Sequence, residues 1–276
     1  MVRLGQEMVR VVVTGIAGRM GRAIAEAIDA MDGIRFVAGT IRRGGNAAGL
    51  SDRLAMPVDD SLEAALDRGA DAVIDFTTPE ASMEHARICA ARGAALVVGT
   101  TGFSPEQKAA LTAVAQRIPL VLAPNTSVGV NLLFRLAAEA ARTLGDAYDV
   151  EIVEAHHRHK KDAPSGTALR LAEVVAEALG RDLDQVANYG RHGNIGARPA
   201  TEIGIQTVRG GDVVGEHTLY FLGEGERIEL THRASSRGAF ARGAVRAAIW
   251  AAGRAPGLYD MQDVLGFAQM EQKEHP

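Results

Sequence analysis

The sequence predicts a doubly wound α/β fold for its first half, on two observations. Short apolar, β-branched runs recur from Val9 onward, and stretches of helical period separate them. Continuously apolar strands that alternate with amphipathic helices form a parallel sheet covered on both faces. The predicted strands are VRVVVTG (9–15), FVAGTI (36–41), AVIDFT (72–77), ALVVGTT (95–101) and PLVLAPN (119–125). The predicted helices between them cover 19–31, 61–67, 79–92 and 104–117.

The order of elements changes after residue 125. A long helix (128–144) leads into the strand DVEIVEAHH (149–157), and a helix over 165–179 ends at Gly180, which suits the position after a helix C-terminus. Three strands then follow without helices between them: 201–208, 216–222 and 227–232. This order predicts a second, α+β domain with a mixed, mostly antiparallel sheet. Closing helices (240–252 and 261–267) are expected to return to the first domain, which gives domains 1–127 with 237–276, and 128–236.

Composition favours small-molecule chemistry. The 276 residues carry a formal net charge of -4 and 4% aromatic residues, so neither a basic surplus nor stacking groups indicate nucleic acid. The apolar run near the N-terminus is too short to span a membrane. The one cysteine, Cys89, excludes an internal disulfide and fits a reducing compartment, so we expect a cytoplasmic protein with Cys89 buried in a helix.

A glycine-rich turn follows the first strand directly. Gly15, Gly18 and Gly21 are spaced G-x-x-G-x-x-G and open a helix near Arg19. Glycines there let backbone N–H groups approach a pyrophosphate at the positive end of the helix. The pattern predicts a Rossmann-like, dinucleotide-binding domain; the alternative is a turn that merely lets strand and helix pack closely.

The end of the second strand bears on the choice of dinucleotide. An acidic residue in this place binds the adenosine ribose, whereas a basic one accommodates a 2′-phosphate. Here Arg42 and Arg43 follow the strand, which favours NADPH over NADH; two solvated surface arginines are the alternative. The later strand ends, DFTTPE (75–80), GTTG (99–102) and APNTSVGVN (123–131), are expected to flank the nicotinamide.

The segment EAHHRHKKDAPSGTA (154–168) crowds histidines and cations ahead of a helix. Three interpretations compete. A metal site would use His157 and His159, but the neighbouring cations and the absence of suitably spaced Cys or carboxylate ligands count against it. Histidines that simply meet solvent are the second. The third is an anion-binding helix N-terminus beside a proton donor, which together with the dinucleotide domain describes a reductase of a small carboxylated substrate.

This segment closely resembles the signature of the 4-hydroxy-tetrahydrodipicolinate reductase (dihydrodipicolinate reductase) family of lysine and diaminopimelate synthesis. Further similar motifs, in order along the chain, are GIAGRMGR, IDFTTPE, VVGTTGF, NTSVGVN, GDVVGEHTLYF and THRASSR. The resemblance implies NAD(P)H-dependent reduction of a cyclic dicarboxylate and a homotetramer formed through the second domain. The cationic neighbours of the histidines separately lead us to expect no metal. Rival expectations are an aspartate or diaminopimelate dehydrogenase, or a non-catalytic NADP-sensing regulator.

The resemblance also implies roles for particular residues. The proton donor falls on His156 and the catalytic lysine on Lys160. Substrate contacts fall on His157, Ser165, Gly166 and Thr167. Cofactor contacts fall on Gly15, Ile16, Ala17, Gly18, Arg19, Met20, Gly99, Thr100, Thr101, Ala123, Pro124, Asn125 and Thr126. The strand ends described above add Arg42, Arg43, Phe76 and Thr77 to the expected cofactor contacts. Many members have an acidic residue for the ribose where this chain has Arg42, so we expect NADPH to be preferred and NADH to be the poorer donor.

Overall fold

The computed structural model describes residues 8–267, which divide into two compact units. The first consists of the described parts of Met1–Val128 and Arg237–Pro276, and the second of Gly129–Ser236. The helix α6 (Val128–Leu144) begins at the boundary. Each unit has its own sheet and its own buried core.

The first unit contains a parallel sheet. Its strands are β1 (Val9–Val13), β2 (Ile34–Thr40), β3 (Val58–Asp59), β4 (Ala72–Asp75), β5 (Ala95–Val98), β6 (Pro119–Leu122) and β12 (Gly257–Tyr259). Its helices are α1 (Arg19–Asp29), α2 (Ala47–Leu54), α3 (Leu62–Leu66), α4 (Pro79–Arg92), α5 (Pro105–Ala115), α9 (Gly238–Ala251) and α10 (Met261–Leu265). Within residues 8–267 the sheet has seven strands, all parallel, in the order β3-β2-β1-β4-β5-β6-β12.

The strands β1, β4 and β5 are buried on both faces, as the continuous apolar runs predict. One face of the sheet packs on a core that includes residues of α1, α9 and α10, and the other on residues of α3, α4 and α5. The strand order reverses between β1 and β4, and ligands of open α/β sheets bind outside the carboxyl ends of the strands at such a point. The doubly wound fold is confirmed.

Three elements of this unit were not predicted: β3, α2 and β12. The two strands have two and three residues, too few for a periodic pattern to show. Helix α2 follows Gly44 and Gly45, and the Asn46 side chain caps its first turn by accepting from the Gly49 N–H. In the predicted α4, Cys89 is buried, and burial raises the pKa of its thiol.

The second unit contains a mixed sheet. Its strands are β7 (Asp149–His156), β8 (Ala187–Asn188), β9 (Ile203–Arg209), β10 (Gly215–Leu222) and β11 (Arg227–Ala234). A 3-10 turn (Gly145–Ala147) and the helices α7 (Gly166–Ala178) and α8 (Leu183–Val186) complete it. The described sheet has the order β11-β10-β7-β9-β8, in which β10 is antiparallel to β11 and β7, whereas β7–β9 and β8–β9 are parallel.

The expected mixed, mostly antiparallel sheet is confirmed, since β10 pairs antiparallel along its whole length with both of its neighbours. The parallel pair β7–β9 is possible because α7 lies between these strands and lets the chain return to the same end of the sheet before β9 begins. Burial alternates strictly along β7, so Val150, Ile152, Glu154 and His156 share the face that packs on α6 and α7. This face therefore places two ionisable side chains beside an apolar core.

Within residues 8–267, every helix is too short or too polar to span a lipid bilayer.

Candidate active site

Several polar side chains of the second unit surround Glu154, which lies near the end of β7. Its side chain is fully buried. Arg209, on β9, donates Nη1–H to Oε2 at 2.8 Å and Nη2–H to Oε1 at 2.7 Å, and the Thr207 hydroxyl donates to Oε1 at 3.2 Å. Burial opposes ionisation, but the bonds from Arg209 and His156 outweigh it and lower the pKa of Glu154 to about 2. The group is therefore a carboxylate at neutral pH and acts only as an acceptor.

His156 lies two residues further along the same face of β7. Its Nδ1 is 2.6 Å from Glu154 Oε2, so the ionised carboxylate fixes the proton on Nδ1. The Nε2 atom faces β10 beside Gly215, where a Cβ would lie 3.0 Å from it. Burial lowers the pKa of His156, and the attraction of Glu154 offsets only part of this effect. His156 thus has a fixed orientation and a weakened hold on its second proton.

The start of α7 is joined to the same carboxylate. Ser165 precedes the helix, and its backbone N–H donates to Glu154 Oε1 at 3.0 Å. The Ser165 hydroxyl accepts from the Ala168 N–H and contacts His217 Nε2 at 2.9 Å. Gly166 and Thr167 form the first turn, in which no acidic residue is found among the described residues. The positive end of such a helix favours an anion such as a carboxylate.

His157 and Lys160 lie in the turn that follows β7. The Lys160 N–H donates to the His157 carbonyl at 3.1 Å, and Lys160 Nζ pairs with Asp162 Oδ2 at 2.8 Å. His157 Nδ1 is buried and finds no hydrogen-bond partner within the described part of the chain. The turn therefore brings a cation and an unsatisfied ring nitrogen to the end of the strand that carries His156.

Four polar residues of this cluster were missed or unassigned from the sequence: Glu154, Thr207, Arg209 and His217. The last three lie 52 to 55 residues from their partners in the chain, so only the strand register brings them together. Burial lowers the pKa of His217 to about 3, and its ring packs edge-on to His156 at 5.2 Å. The i, i+2 spacing of Glu154 and His156 was the one signal that the sequence offered.

The residues 8–267 hold no group of three or more His, Cys, Asp or Glu side chains arranged to bind a metal. The rings of His157 and His159 are 6.3 Å apart, centre to centre.

In the first unit, the glycine-rich turn leads into α1. Gly15 has a φ of +62°, and a Cβ on Gly21 would lie 2.5 Å from the Gly15 carbonyl oxygen. Among the described residues no side chain caps α1, and its first turn holds no acidic residue. The backbone N–H groups there are available to an anion, so the turn fits the pyrophosphate of a dinucleotide.

The remaining residues of the expected cofactor set lie at the carboxyl edge of the same sheet. Exposed members are Ala17, Gly18, Arg19, Arg42, Arg43, Thr101 and Pro124. Others use their side chains within the protein: Ile16 packs in the core, Thr126 donates to the Phe240 carbonyl, and Thr77 donates to Asp75. The hydroxyl protons of these two threonines are therefore used within the protein.

Family profiles match almost the whole described chain. The profile described as "Dihydrodipicolinate reductase, N-terminus" matches residues 9–126, and "Dihydrodipicolinate reductase, C-terminus" matches residues 129–265. The chain belongs to the dihydrodipicolinate reductase family. This confirms the resemblance seen in the sequence, and the protein is an oxidoreductase that uses a nicotinamide dinucleotide.

Relatives in this family are similar over their full length. The 4-hydroxy-tetrahydrodipicolinate reductase of Myxococcus xanthus (strain DK1622) is 64% identical over 270 residues, with 94% of this chain and 98% of the relative covered. The enzyme of the same name from Anaeromyxobacter dehalogenans (strain 2CP-C) is 58% identical over 267 residues, with 94% and 98% covered. These relatives support the reductase function predicted from the sequence.

Solved structures agree with the fold. A dipicolinate-bound dihydrodipicolinate reductase from Paenisporosarcina sp. TG-14 aligns with a TM-score of 0.74 at 28% identity and covers 93% of this chain and 98% of its own. A probable dehydrogenase from Thermotoga maritima aligns with a TM-score of 0.62 at 13% identity, with 97% and 98% covered, which shows a shared fold alone.

Proposed function

We propose that this chain reduces 4-hydroxy-tetrahydrodipicolinate (dihydrodipicolinate) to tetrahydrodipicolinate with NADPH, in lysine and diaminopimelate synthesis. The observation that carries the proposal is the ionised Glu154, which bonds both to the ring of His156 and to the first residue before α7. A proton donor and an anion-binding helix end are thereby held by one carboxylate. A regulator that only binds a dinucleotide needs neither.

The substrate's carboxylates are bound by the cationic turn and the start of α7. We assign one carboxylate to Ser165, Gly166, Thr167 and the unsatisfied ring of His157. Lys160 is a half-buried, compact cation, suited to an anionic substrate and to charge that shifts toward the ring nitrogen. It would exchange its Asp162 partner for the substrate.

NADPH, when bound, supplies a hydride, and the glycine turn with α1 would hold its pyrophosphate. Reduction of a conjugated imine leaves an electron-rich enamine that must be protonated. His156 supplies that proton from Nε2, because its Nδ1–H stays bonded to Glu154. The donor must be doubly protonated beforehand, and Glu154 stabilises this cationic form.

The preference for NADPH over NADH rests on Arg42 and Arg43, which are exposed after β2, with Arg19 at the start of α1. Charge-assisted hydrogen bonds to a 2′-phosphate contribute about 1.5–3 kcal/mol, roughly a tenfold to hundredfold preference. The values of kcat/KM for the two donors measure it. Equal values, or a higher value for NADH, would exclude this part of the proposal.

We propose a homotetramer that assembles through the open face of the second unit's sheet. Val208 is 51% exposed and Leu222 is 36% exposed. Gln206 lies on β9 opposite Val153 of β7, and its Nε2 is buried without a partner among residues 8–267. Exposed apolar side chains beside an unsatisfied amide favour a covering surface.

The cytoplasm is the location we propose. The chain's one cysteine is buried in α4, and burial keeps its thiol protonated, so the protein needs no oxidising compartment.

The decisive experiment is NADPH oxidation with substrate made freshly from aspartate semialdehyde and pyruvate. Steady oxidation that depends on both precursors, and that survives exhaustive chelation, is the expected result. Loss of activity on chelation, with recovery when zinc is added, would overturn the metal-free assignment of His156, His157 and His159. NADPH binding without turnover would favour a sensing regulator, and turnover of aspartate or diaminopimelate instead would favour the rival dehydrogenases.

A further inference from the structure

A second buried carboxylate, Asp75, is the last residue of β4 in the dinucleotide-binding unit, and the proposed mechanism does not use it. Its side chain is fully buried. The hydroxyls of Thr14 and Thr77 donate to its Oδ1 at 2.8 and 2.6 Å, and His85 Nδ1 lies 3.2 Å from its Oδ2. Burial opposes ionisation of Asp75, but the bonds from His85 and Thr77 outweigh it and keep the pKa of this carboxyl below its usual range.

The partners of Asp75 link turns that follow three neighbouring strands. Thr14 immediately follows β1, and Thr77 lies in the turn after β4. The backbone N–H of Thr77 donates to the Thr100 hydroxyl, just after β5, at 2.9 Å. Ser82 of α4 donates to the same hydroxyl at 2.9 Å. One network thus joins the carboxyl ends of β1, β4 and β5.

The same turns pack against two glycines that the dinucleotide fold needs. A Cβ on Gly15 would lie 3.1 Å from the Thr77 methyl carbon, and a Cβ on Gly99 would overlap the Phe76 ring. The bond from Thr77 to Asp75 turns its hydroxyl inward and leaves its methyl group against the Gly15 turn. The position of the pyrophosphate turn therefore depends on where Asp75 holds Thr77.

We propose that Asp75 is a positioning residue for dinucleotide binding, which holds the turns after β1, β4 and β5 in one fixed arrangement. It touches neither the nucleotide nor the substrate. His85 of α4 contacts its other oxygen. Only the dinucleotide-binding role of this unit is assumed, and not the identity of the substrate.

The test compares Asp75→Ala with Asp71→Ala, because alanine removes the oxygen that accepts from Thr14 and Thr77. Asp71 precedes the same strand at its other end and pairs with Arg10, so its substitution also removes a hydrogen-bonded carboxylate from this unit. For Asp75→Ala we expect the Kd for NADPH, measured by fluorescence without substrate, to rise about tenfold or more, with kcat at saturating NADPH within about threefold. Asp71→Ala is expected to leave the Kd within about twofold.

A second variant separates positioning from direct contact. Thr77→Val keeps the methyl group against Gly15 but removes the hydroxyl, and we expect it to weaken NADPH binding. The double variant with Asp75→Ala should bind NADPH no more weakly than the weaker-binding single variant, since both substitutions remove the bond from Thr77 to Asp75. Additive effects, an unchanged Kd in Asp75→Ala, or an equal loss in Asp71→Ala would overturn the proposal. If Asp75→Ala does not fold, Thr77→Val and Thr14→Val decide, and an unchanged Kd in both refutes it. Because binding is measured without substrate, failure here is distinct from failure of the reductase assay.

Discussion

At the scale of single residues, the division of labour between Glu154 and His156 follows from protonation states. A carboxylate with a pKa of about 2 has no proton to give at neutral pH, and Arg209 holds both of its oxygens. His156 has a pKa below its usual value, so its doubly protonated form gives up the Nε2 proton more readily. Glu154 therefore orients the His156 ring, and His156 transfers the proton.

The first prediction concerns His156 itself. His156→Ala should lower kcat by about a hundredfold to ten-thousandfold, the usual contribution of a positioned acid, with little change in NADPH affinity. Steady-state kinetics and NADPH fluorescence measure the two quantities. His159→Ala is the control, since that ring is exposed in the same turn and should stay within about threefold of wild type.

A His156→Ala enzyme within threefold of wild type would move the proton donor to His157 or His159. Lys160→Ala should also lower kcat, and Lys160→Arg should restore only part of it, because a planar guanidinium does not reproduce a compact ammonium.

The second prediction concerns pH. The donor must be protonated, so kcat/KM should fall as pH rises through the pKa of His156, and burial places this fall below pH 6.5. Glu154 raises that pKa by stabilising the imidazolium. Glu154→Gln removes the stabilisation, so the fall should move to still lower pH and kcat should drop.

The pH profile of Glu151→Gln is the control for this shift. Glu151 lies on the opposite face of β7 and pairs with Arg191 and Arg198. A shift of equal size in this variant, or a fall of the Glu154→Gln profile at higher pH, would contradict the role given to Glu154.

At the scale of elements, the sequence predicts those helices and strands whose ends are marked by local residue patterns. The bounds of α4 and α6 agree with the prediction to the residue, because Thr78 and Pro79 mark the start of α4 and Gly93 follows its end. The two-residue strands β3 and β8 carry no such pattern. Nor does the sequence show that Arg209 and Thr207 meet Glu154, because the register of β7 and β9 decides it.

The third prediction belongs to the turn between β1 and α1. A Cβ on Gly21 would lie 2.5 Å from the Gly15 carbonyl oxygen and 2.7 Å from the Ile16 Cα, both fixed backbone atoms. Gly21→Ala should therefore displace the turn, at about 1–3 kcal/mol of stability, and raise the Kd for NADPH about tenfold or more. Thermal unfolding and NADPH fluorescence measure these effects.

Gly253→Ala is the matched control for the turn. Gly253 lies in the same unit, and a Cβ there meets nothing within 4 Å. Its NADPH affinity should equal that of wild type. Normal affinity in Gly21→Ala would mean that the turn does not hold the pyrophosphate.

At the scale of the whole molecule, both units end a strand with a buried, ionised carboxylate. Asp75 is the last residue of β4 and Glu154 lies near the end of β7. Each carboxylate contacts side chains from neighbouring strands or helices. An unpaired buried charge is strongly destabilising, so such a group requires its partners to be in place. In both units, the strand ends that bear the proposed binding residues therefore keep their arrangement only while the surrounding fold is intact.

The fourth prediction concerns assembly. If four copies associate through the open face of the second sheet, light scattering after gel filtration should give about four times 29.1 kDa. Val208→Glu places a charge on that face, at a side chain 51% exposed in the single chain, and should give smaller species at the same concentration.

Leu258→Glu is the control, because Leu258 is 43% exposed on β12 of the first unit and its substitution should leave the tetramer intact. A Val208→Glu protein of unchanged mass would place the interface elsewhere, and a wild-type mass of one or two chains would exclude the tetramer.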